Sequence, residues 1–155
     1  MKIIDRFIII FWKQNSWHKH GVLVHTLKVV YHIIWNGHYN MFIALILHDI
    51  WKPLIATRDD TKEISYSFTW HEEKSYQLIK NIPFFSDYTK NLVRWHYLIR
   101  WIKKSKEKSL DQNNTDKEKL FWKTENERLK KIYETLNADF KNDLAIFLNY
   151  DDLGK

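Results

Sequence analysis

The adjacent residues His48 and Asp49 are the part of this sequence best suited to chemistry. They come near the end of the most apolar predicted helix, which runs from about Asn40 to Trp51. An ionised aspartate is costly to bury alone, so the doublet predicts either a strong hydrogen-bonding partner or a cation. A neutral histidine nitrogen and an anionic aspartate oxygen suit Mn, Fe, Co, Ni or Zn. One metal ion would satisfy both residues.

Five short blocks containing His or Asp follow one another along the chain. They are His25 in His-Thr-Leu-Lys-Val-Val, His48-Asp49 in Leu-His-Asp-Ile-Trp-Lys-Pro, His71 in Trp-His-Glu-Glu-Lys, His96 in Val-Arg-Trp-His, and Asp151 in Tyr-Asp-Asp-Leu-Gly. In this order the blocks resemble those of the HD superfamily of metal-dependent phosphohydrolases. After the doublet, Lys52 and Pro53 match the family pattern, whereas Trp51 stands where the family often has glycine. The resemblance extends from about residue 18 to the C-terminus, and five blocks in the right order are more specific than any one.

The resemblance implies six metal ligands and two divalent transition metal ions, drawn from Mn, Fe, Co, Ni and Zn. It assigns to the first ion His25, His48, Asp49 and Asp151. It assigns to the second ion Asp49 as a bridge, His71 and His96. Asp152 is the alternative to Asp151, because Tyr150 stands where the family usually has a small residue. The remaining histidines, His18, His20, His32 and His38, match no block and are assigned no role.

Lys52 follows the doublet by one helical turn. In the resembling family the lysine at this place lies near the substrate phosphate, which makes Lys52 a candidate for phosphate binding and, with Asp49, for catalysis. The alternative is a surface lysine at a helix end, where the helix dipole favours a cation.

Other charged residues stand beside the predicted ligands. Arg94 and Arg100 flank His96 and are predicted to bind substrate. Glu72 and Glu73 follow His71 in a first helical turn, where the helix dipole favours acidic residues. One of these two glutamates can also orient a ligand histidine.

The resemblance implies hydrolysis of a phosphoester, with a nucleotide or an RNA-type phosphodiester as substrate. Two cations about 3.5–4 Å apart can activate one water and stabilise charge on a phosphoryl oxygen. Such a phosphohydrolase or phosphodiesterase needs no protein nucleophile. The expected partner is therefore a small phosphorylated substrate, and nucleic acid is a further possibility.

Two other functions stay open at this stage. One branch of the superfamily holds two irons with the same six ligands and acts as an oxygenase. Members of that branch tend to carry a Tyr and a Glu shortly before the first histidine, and the window from Asn15 to His18 contains neither. The other alternative is a non-catalytic module that binds a nucleotide or nucleic acid. A complete ligand set argues against that alternative.

Length and composition set the frame in which these residues must be positioned. The chain has 155 residues, a length that favours one domain with a substantial core. It contains 25 Lys and Arg and 19 Asp and Glu, which give a net charge of +6. The absence of Cys excludes a disulfide scaffold, a cysteine-ligated zinc site and a cysteine nucleophile. The apolar stretch from Phe7 to Trp12 is far too short for a membrane span, so a cytoplasmic protein without a membrane partner is expected.

Gly and Pro together number five, which favours long helices over a many-stranded sheet. We therefore predict an all-α HD-type domain of six or seven helices, with a loop and one short extended piece over residues 54–70. The predicted helices are 2–14, Trp17–Trp35, Asn40–Trp51, His71–Asn81, Asp87–Lys103, Asp116–Leu136 and Asp139–Leu153. Asn36-Gly37 is predicted to end the second helix, and Pro53 to follow the end of the third.

Residues 103–118 are rich in lysine and are predicted to form an exposed loop. Lys103, Lys104, Lys106 and Lys108 lie close together there, just after Arg100. A solvated loop is the favoured interpretation. The alternative is a platform for a polyanion such as a nucleotide or nucleic acid.

Overall fold

The computed structural model describes residues 6, 8–12, 20–58, 66–68 and 70–154. The described chain is mostly helical, which confirms the all-α prediction. The helices are α1 (Val22–Asn36), α2 (Phe42–Leu47), α3 (Lys52–Ile55), α4 (His71–Ile79), α5 (Asp87–Trp95), α6 (Leu98–Leu110), α7 (Asp116–Thr135) and α8 (Ala138–Leu153). A π-helical turn at Ile8–Trp12 and a 3-10 turn at Tyr39–Met41 complete the helical segments. Much of the predicted helix 2–14, and the first residues of the predicted helix at Trp17, lie outside the described residues.

The chain forms two compact units. The first unit contains Met1–Trp95 and Phe147–Lys155, and the second contains His96–Ile146. The boundaries fall between α5 and α6 and within α8. A single domain over the whole chain stays a prediction. Among the described residues, no helix combines the length and the apolar character needed to cross a bilayer.

In the first unit, α1 turns one stripe of side chains towards the core. His25, Val29 and Ile33, spaced by four residues, are all fully buried. Gly37 then ends the helix in the left-handed conformation, with φ at 75°, as the Asn-Gly pair predicts. Because His25 shares the stripe with two aliphatic core residues, core packing fixes where its ring points.

The predicted helix from Asn40 to Trp51 is wrong in its second half. Helix α2 ends at Leu47, and a turn closed by the bond from the Lys52 amide to the Asp49 carbonyl leads into α3. Pro53 therefore lies in the first turn of a new helix, where its missing N–H costs nothing, and does not act as a terminator. This break places His48 and Asp49 in a turn between two helices.

A small antiparallel pair lies between α3 and α4. Strand β1 (Thr57–Arg58) pairs with β2 (Tyr66–Ser67), so that Thr57 is opposite Ser67. The predicted extended piece is thus present at its C-terminal part, and residues 59–65 lie outside the described residues. The pair leads the chain back to the start of α4.

In the second unit, α6 packs along α7, and α7 begins with a capping box formed by Thr115 and Glu118. The prediction for this region is wrong at two places. The helix predicted from Asp87 to Lys103 is divided at residues 96–97, and α6 continues to Leu110, so only residues 111–115 form the loop. Lysine is a good helix former, and no Gly or Pro interrupts α6, so its polar composition does not prevent a helix.

Candidate metal centre

Four segments of the first unit bring polar side chains into its core. His25 comes from α1, His48 and Asp49 from the turn after α2, His71 from the first position of α4, and Asp151 from α8. His25, His48, Asp49 and Asp151 are 0% exposed, and His71 is 5% exposed. Such burial of two carboxylates requires compensating partners.

Four of these residues form a group that can hold a metal ion. Donor atoms of His25, His48, Asp49 and Asp151 all lie within 4.8 Å of one another. His25 Nε2 is 3.1 Å from Asp151 Oδ1, and His48 Nε2 is 3.3 Å from Asp49 Oδ2 and 3.5 Å from Asp151 Oδ1. Two imidazole nitrogens and two carboxylate oxygens are a donor set for a divalent transition metal.

Backbone carbonyls fix the orientation of two of the histidine rings. His48 Nδ1 donates to the Leu45 carbonyl at 2.5 Å, and His71 Nδ1 donates to the Phe68 carbonyl at 2.9 Å. Since a carbonyl can only accept, the proton of each neutral ring is on Nδ1, and Nε2 carries a lone pair. Metal-binding histidines are typically held in this way.

The electrostatics of the group favour a bound cation. Burial raises the pKa of Asp49, but the charges of His48 and Lys52 outweigh it and hold that pKa well below its usual value. Burial also opposes the ionisation of Asp151, and hydrogen bonds from His25 and His48 lower its pKa well below the usual value. Burial lowers the pKa of His48, but the two carboxylates raise it to about 9. A proton on His48 and a metal ion therefore compete to balance the same two carboxylates.

Lys52 is a buried residue of this group. Its side chain is 1% exposed, and its ammonium donates to Asp49 Oδ2 at 2.6 Å. The interpretation of Lys52 as a surface residue is therefore wrong. Asp49 Oδ1 has no hydrogen-bond partner among the described residues and lies 3.4 Å from His71 Nε2. A buried acceptor without a donor fits a cation between Asp49 and His71.

The two glutamates after His71 have different surroundings. Glu72 is buried, and its Oε2 lies 3.5 Å from His71 Nδ1, which suits a role in orienting that ring. Glu73 accepts from Arg94 Nε at 3.0 Å. Burial lowers the pKa of His71, which keeps the ring neutral and able to bind a metal.

The other predicted site residues are His96, Arg94 and Arg100. His96 directly follows α5 as the first residue of the second unit, and its ring is 1% exposed. Arg94 packs its guanidinium over the rings of Tyr76 and Trp95, at 4.5 Å and 4.8 Å. Arg100 lies 4.7 Å from the ring centre of Tyr97. The ligand role of His96 and the substrate roles of the two arginines stay predictions.

The two candidates for the last ligand are clearly separated. Asp151 is fully buried within the group, whereas Asp152 is exposed. Tyr150, which stands in place of the usual small residue, turns its hydroxyl to His38 Nδ1 at 2.7 Å. Because Tyr150 is held away from the group by this bond, it leaves the position of Asp151 in the helix unaffected.

Two supporting residues were not identified from the sequence. A Cβ at Gly154 would come within 2.7 Å of His25 Nδ1 and 2.5 Å of Val29 Cγ2, so only glycine fits against the His25 ring. Ser75 Oγ donates to the His48 carbonyl at 3.0 Å and ties α4 to the turn that carries the doublet. Gly154 belongs to the closing block of the resemblance, which was a signal for its importance. Ser75 had no such signal in the sequence, since its hydrogen-bond partner is 27 residues away.

Comparison with models of protein families, with curated proteins and with solved structures found no match for this chain. The protein is therefore a helical chain with a buried His and Asp group that can bind metal and is compatible with an HD-like site. Such a group could bind metal ions.

Proposed function

We propose that this protein is a metal-dependent phosphohydrolase of the HD type, which hydrolyses a nucleotide or RNA-type phosphoester. The observation that supports this proposal is the convergence of His25, His48, Asp49 and Asp151 within 4.8 Å in a fully buried position. The same four residues are those that the resemblance assigns to the first metal. Two imidazoles and two carboxylates that meet in a buried position are a donor set suited to a divalent transition metal.

The proposed second metal position uses Asp49, His71 and His96. Asp49 Oδ1 and His71 Nε2 are 3.4 Å apart and are both buried. His96 is joined through the chain to α5, which packs against α2 and α4, the helices adjacent to Asp49 and His71. With Asp49 as a shared ligand, each metal would keep open positions for water and substrate.

The metals would supply Lewis acidity to a phosphoryl oxygen and acidify a water molecule. The protein residues orient and balance this centre. Leu45 and Phe68 hold the histidine rings with Nε2 towards the carboxylates. Lys52 balances one carboxylate charge through Asp49, and its proposed second task is to attract the phosphate of the substrate.

The adjacent residues Asp151 and Asp152 provide a matched test. Asp151→Asn should lower metal content and reduce hydrolysis of bis-p-nitrophenyl phosphate by more than about 100-fold, since loss of even an outer-shell partner costs about 10–100-fold. Asp152→Asn changes the same chemical group at an exposed position and should retain both. Metal content is measured by elemental analysis of natively purified protein, and folding by circular dichroism.

Several results would contradict the proposal. Equal activity of the two variants would remove Asp151 from the site. Absence of bound metal, even after addition of divalent ions, would refute the metal centre. Iron as the main metal, with oxygen consumption and no phosphoester hydrolysis, would favour the diiron oxygenase. His71→Asn should lower the metal content from two ions to one, and an unchanged content would refute the second position.

A further inference from the structure

Helix α6 of the second unit carries an unusual excess of positive charge. Its 13 residues contain five Lys and Arg residues and one Glu. Four of these are lysines, and none of them has a carboxylate oxygen within 4.0 Å among the described residues: Lys103, Lys104, Lys106 and Lys108. These four lysine charges therefore have no ion-pair partner in the part of the chain that the structure describes.

Three of the cations form a single stripe along α6. Arg100, Lys104 and Lys108 are spaced by four residues, which places them on one face at steps of about 6 Å. Leu98 and Ser105 are buried on the packing face of the helix. Within the stripe, Lys104 is exposed, and Arg100 and Lys108 are half-buried.

Each cation of the stripe lies over an aromatic ring. Arg100 lies 4.7 Å from the ring centre of Tyr97, and Lys104 lies 4.9 Å from that of Trp101. Lys108 reaches across to α7 and lies 4.1 Å from the ring centre of Trp122. Cations and aromatic rings thus alternate along one surface.

An exposed ring extends this surface onto α7. Phe121 is 61% exposed and packs edge-on against Trp122, with ring centres 5.1 Å apart. Glu118, in the first turn of α7, accepts hydrogen bonds from Thr115 as part of the capping box, and these bonds, together with the charge of Lys108, lower its pKa. The surface therefore offers positive charge and an accessible π face, while its nearby carboxylate is already engaged.

We propose that the face of α6 carrying Arg100, Lys104 and Lys108 binds single-stranded nucleic acid. Regularly spaced cations match the phosphates of a nucleic-acid backbone. Aromatic rings beside the cations offer stacking to unpaired bases, which a duplex keeps inside its own stack. An acidic protein would use the charges but not the rings. The surface lies within the second unit, so its binding is measured without metal, separately from hydrolysis.

The test measures binding of a fluorescently labelled 12-nucleotide oligouridylate by the full-length protein in the presence of a chelator. Lys104→Gln with Lys108→Gln should weaken binding and reduce the slope of log K against log salt by about 1.4, since each phosphate contact contributes about 0.7 for single strands. The control, Lys130→Gln with Lys131→Gln, removes two exposed charges from α7 in the same unit and should change neither quantity. Phe121→Ser should weaken binding without changing the slope.

Three results would overturn this proposal. Equal losses from the two double variants would show a general charge effect. Binding of a 12-base-pair duplex as tight as that of the single strand, with no effect of Phe121→Ser, would exclude stacking. Binding to anionic phospholipid vesicles that depends on Lys104 and Lys108, without oligonucleotide binding, would assign the face to a membrane surface. The Asp151→Asn protein, which should lose hydrolytic activity, is expected to bind the oligonucleotide as the unaltered protein does.

Discussion

Lysines occur in two opposite environments in this protein. In the first unit, Lys52 is buried and holds Asp49 at 2.6 Å, within a group of two carboxylates and three imidazoles. In the second unit, Lys104 is exposed and rests 4.9 Å from the ring centre of Trp101, with no carboxylate partner among the described residues. An ion pair therefore positions the side chain of Lys52, and an aromatic ring positions that of Lys104.

This difference shows how burial determines what a charge can do. Removing a charge from water costs several kcal/mol, so a buried lysine persists only with a tightly positioned partner. An exposed lysine pays little of this cost and keeps its charge available to an external anion. We therefore expect the loss of a single buried charge to lower the stability of the first unit strongly. The loss of a single exposed charge should change the stability of the second unit little.

The largest expected effect comes from removing the buried charge. Lys52→Met leaves Asp49 buried without its cation and should lower the free energy of unfolding of the metal-free protein by about 3–5 kcal/mol. The matched change Lys104→Met loses an exposed cation–π contact and should cost less than about 1 kcal/mol. Both values come from urea denaturation with a chelator present.

Metal provides the internal control for this comparison. A divalent ion restores positive charge next to Asp49, so added metal should recover more stability in Lys52→Met than in Lys104→Met. Similar stabilities of the two metal-free variants would contradict the assignment of Lys52 as the balancing charge.

The sequence was sufficient to identify the buried group. The resemblance to the HD blocks named His25, His48, Asp49 and Asp151, with Asp152 as the alternative to Asp151, and the structure brings these four together in the core. The all-α prediction also holds, since few Gly and Pro residues and helical spacing act locally. Helix ends with a local signal, such as Gly37 after α1, were placed correctly.

Features that depend on tertiary contacts were not accessible from the sequence. No Gly or Pro follows Leu47 to signal the end of α2. Pro53 was interpreted as following the end of that helix, whereas it lies in the first turn of α3. The lysine-rich part of α6 was predicted as a loop because its polar composition hid its buried face, which is formed there by Ser105. The burial of Lys52 was equally hidden, since it follows from its contact with Asp49.

An intermediate effect is expected at Gly154, whose backbone lies directly against the His25 ring. Gly154→Ala places a methyl group within 2.7 Å of His25 Nδ1, so His25 or α8 must move. We expect a loss of about 1–3 kcal/mol in stability, as for other overpacked sites, together with weaker metal binding. Gly37→Ala is the control: its φ of 75° also disfavours alanine, by about 1–2 kcal/mol, but its Cβ meets no atom within 4 Å.

Metal affinity separates the two glycine variants. It is measured by competition with a chromophoric chelator at a temperature where both proteins are folded. Gly37→Ala should bind metal as the unaltered protein does, because Gly37 contacts no ligand. Equal affinity for Gly154→Ala would show that the His25 ring does not depend on the space left by this glycine.

The smallest expected effect compares two buried serines that make the same kind of bond. Ser75 donates to the His48 carbonyl at 3.0 Å, and Ser105 donates to the Ile102 carbonyl at 3.1 Å. Replacing either by alanine should cost about 0.5–1.5 kcal/mol, because each change removes one hydrogen bond. Ser75→Ala alone should also weaken metal binding by about tenfold, since it releases the turn that positions His48 and Asp49. The same chelator competition measures this difference. If Ser105→Ala weakened metal binding as much, the loss would reflect general stability, and the special role of α4 in positioning the doublet would be wrong.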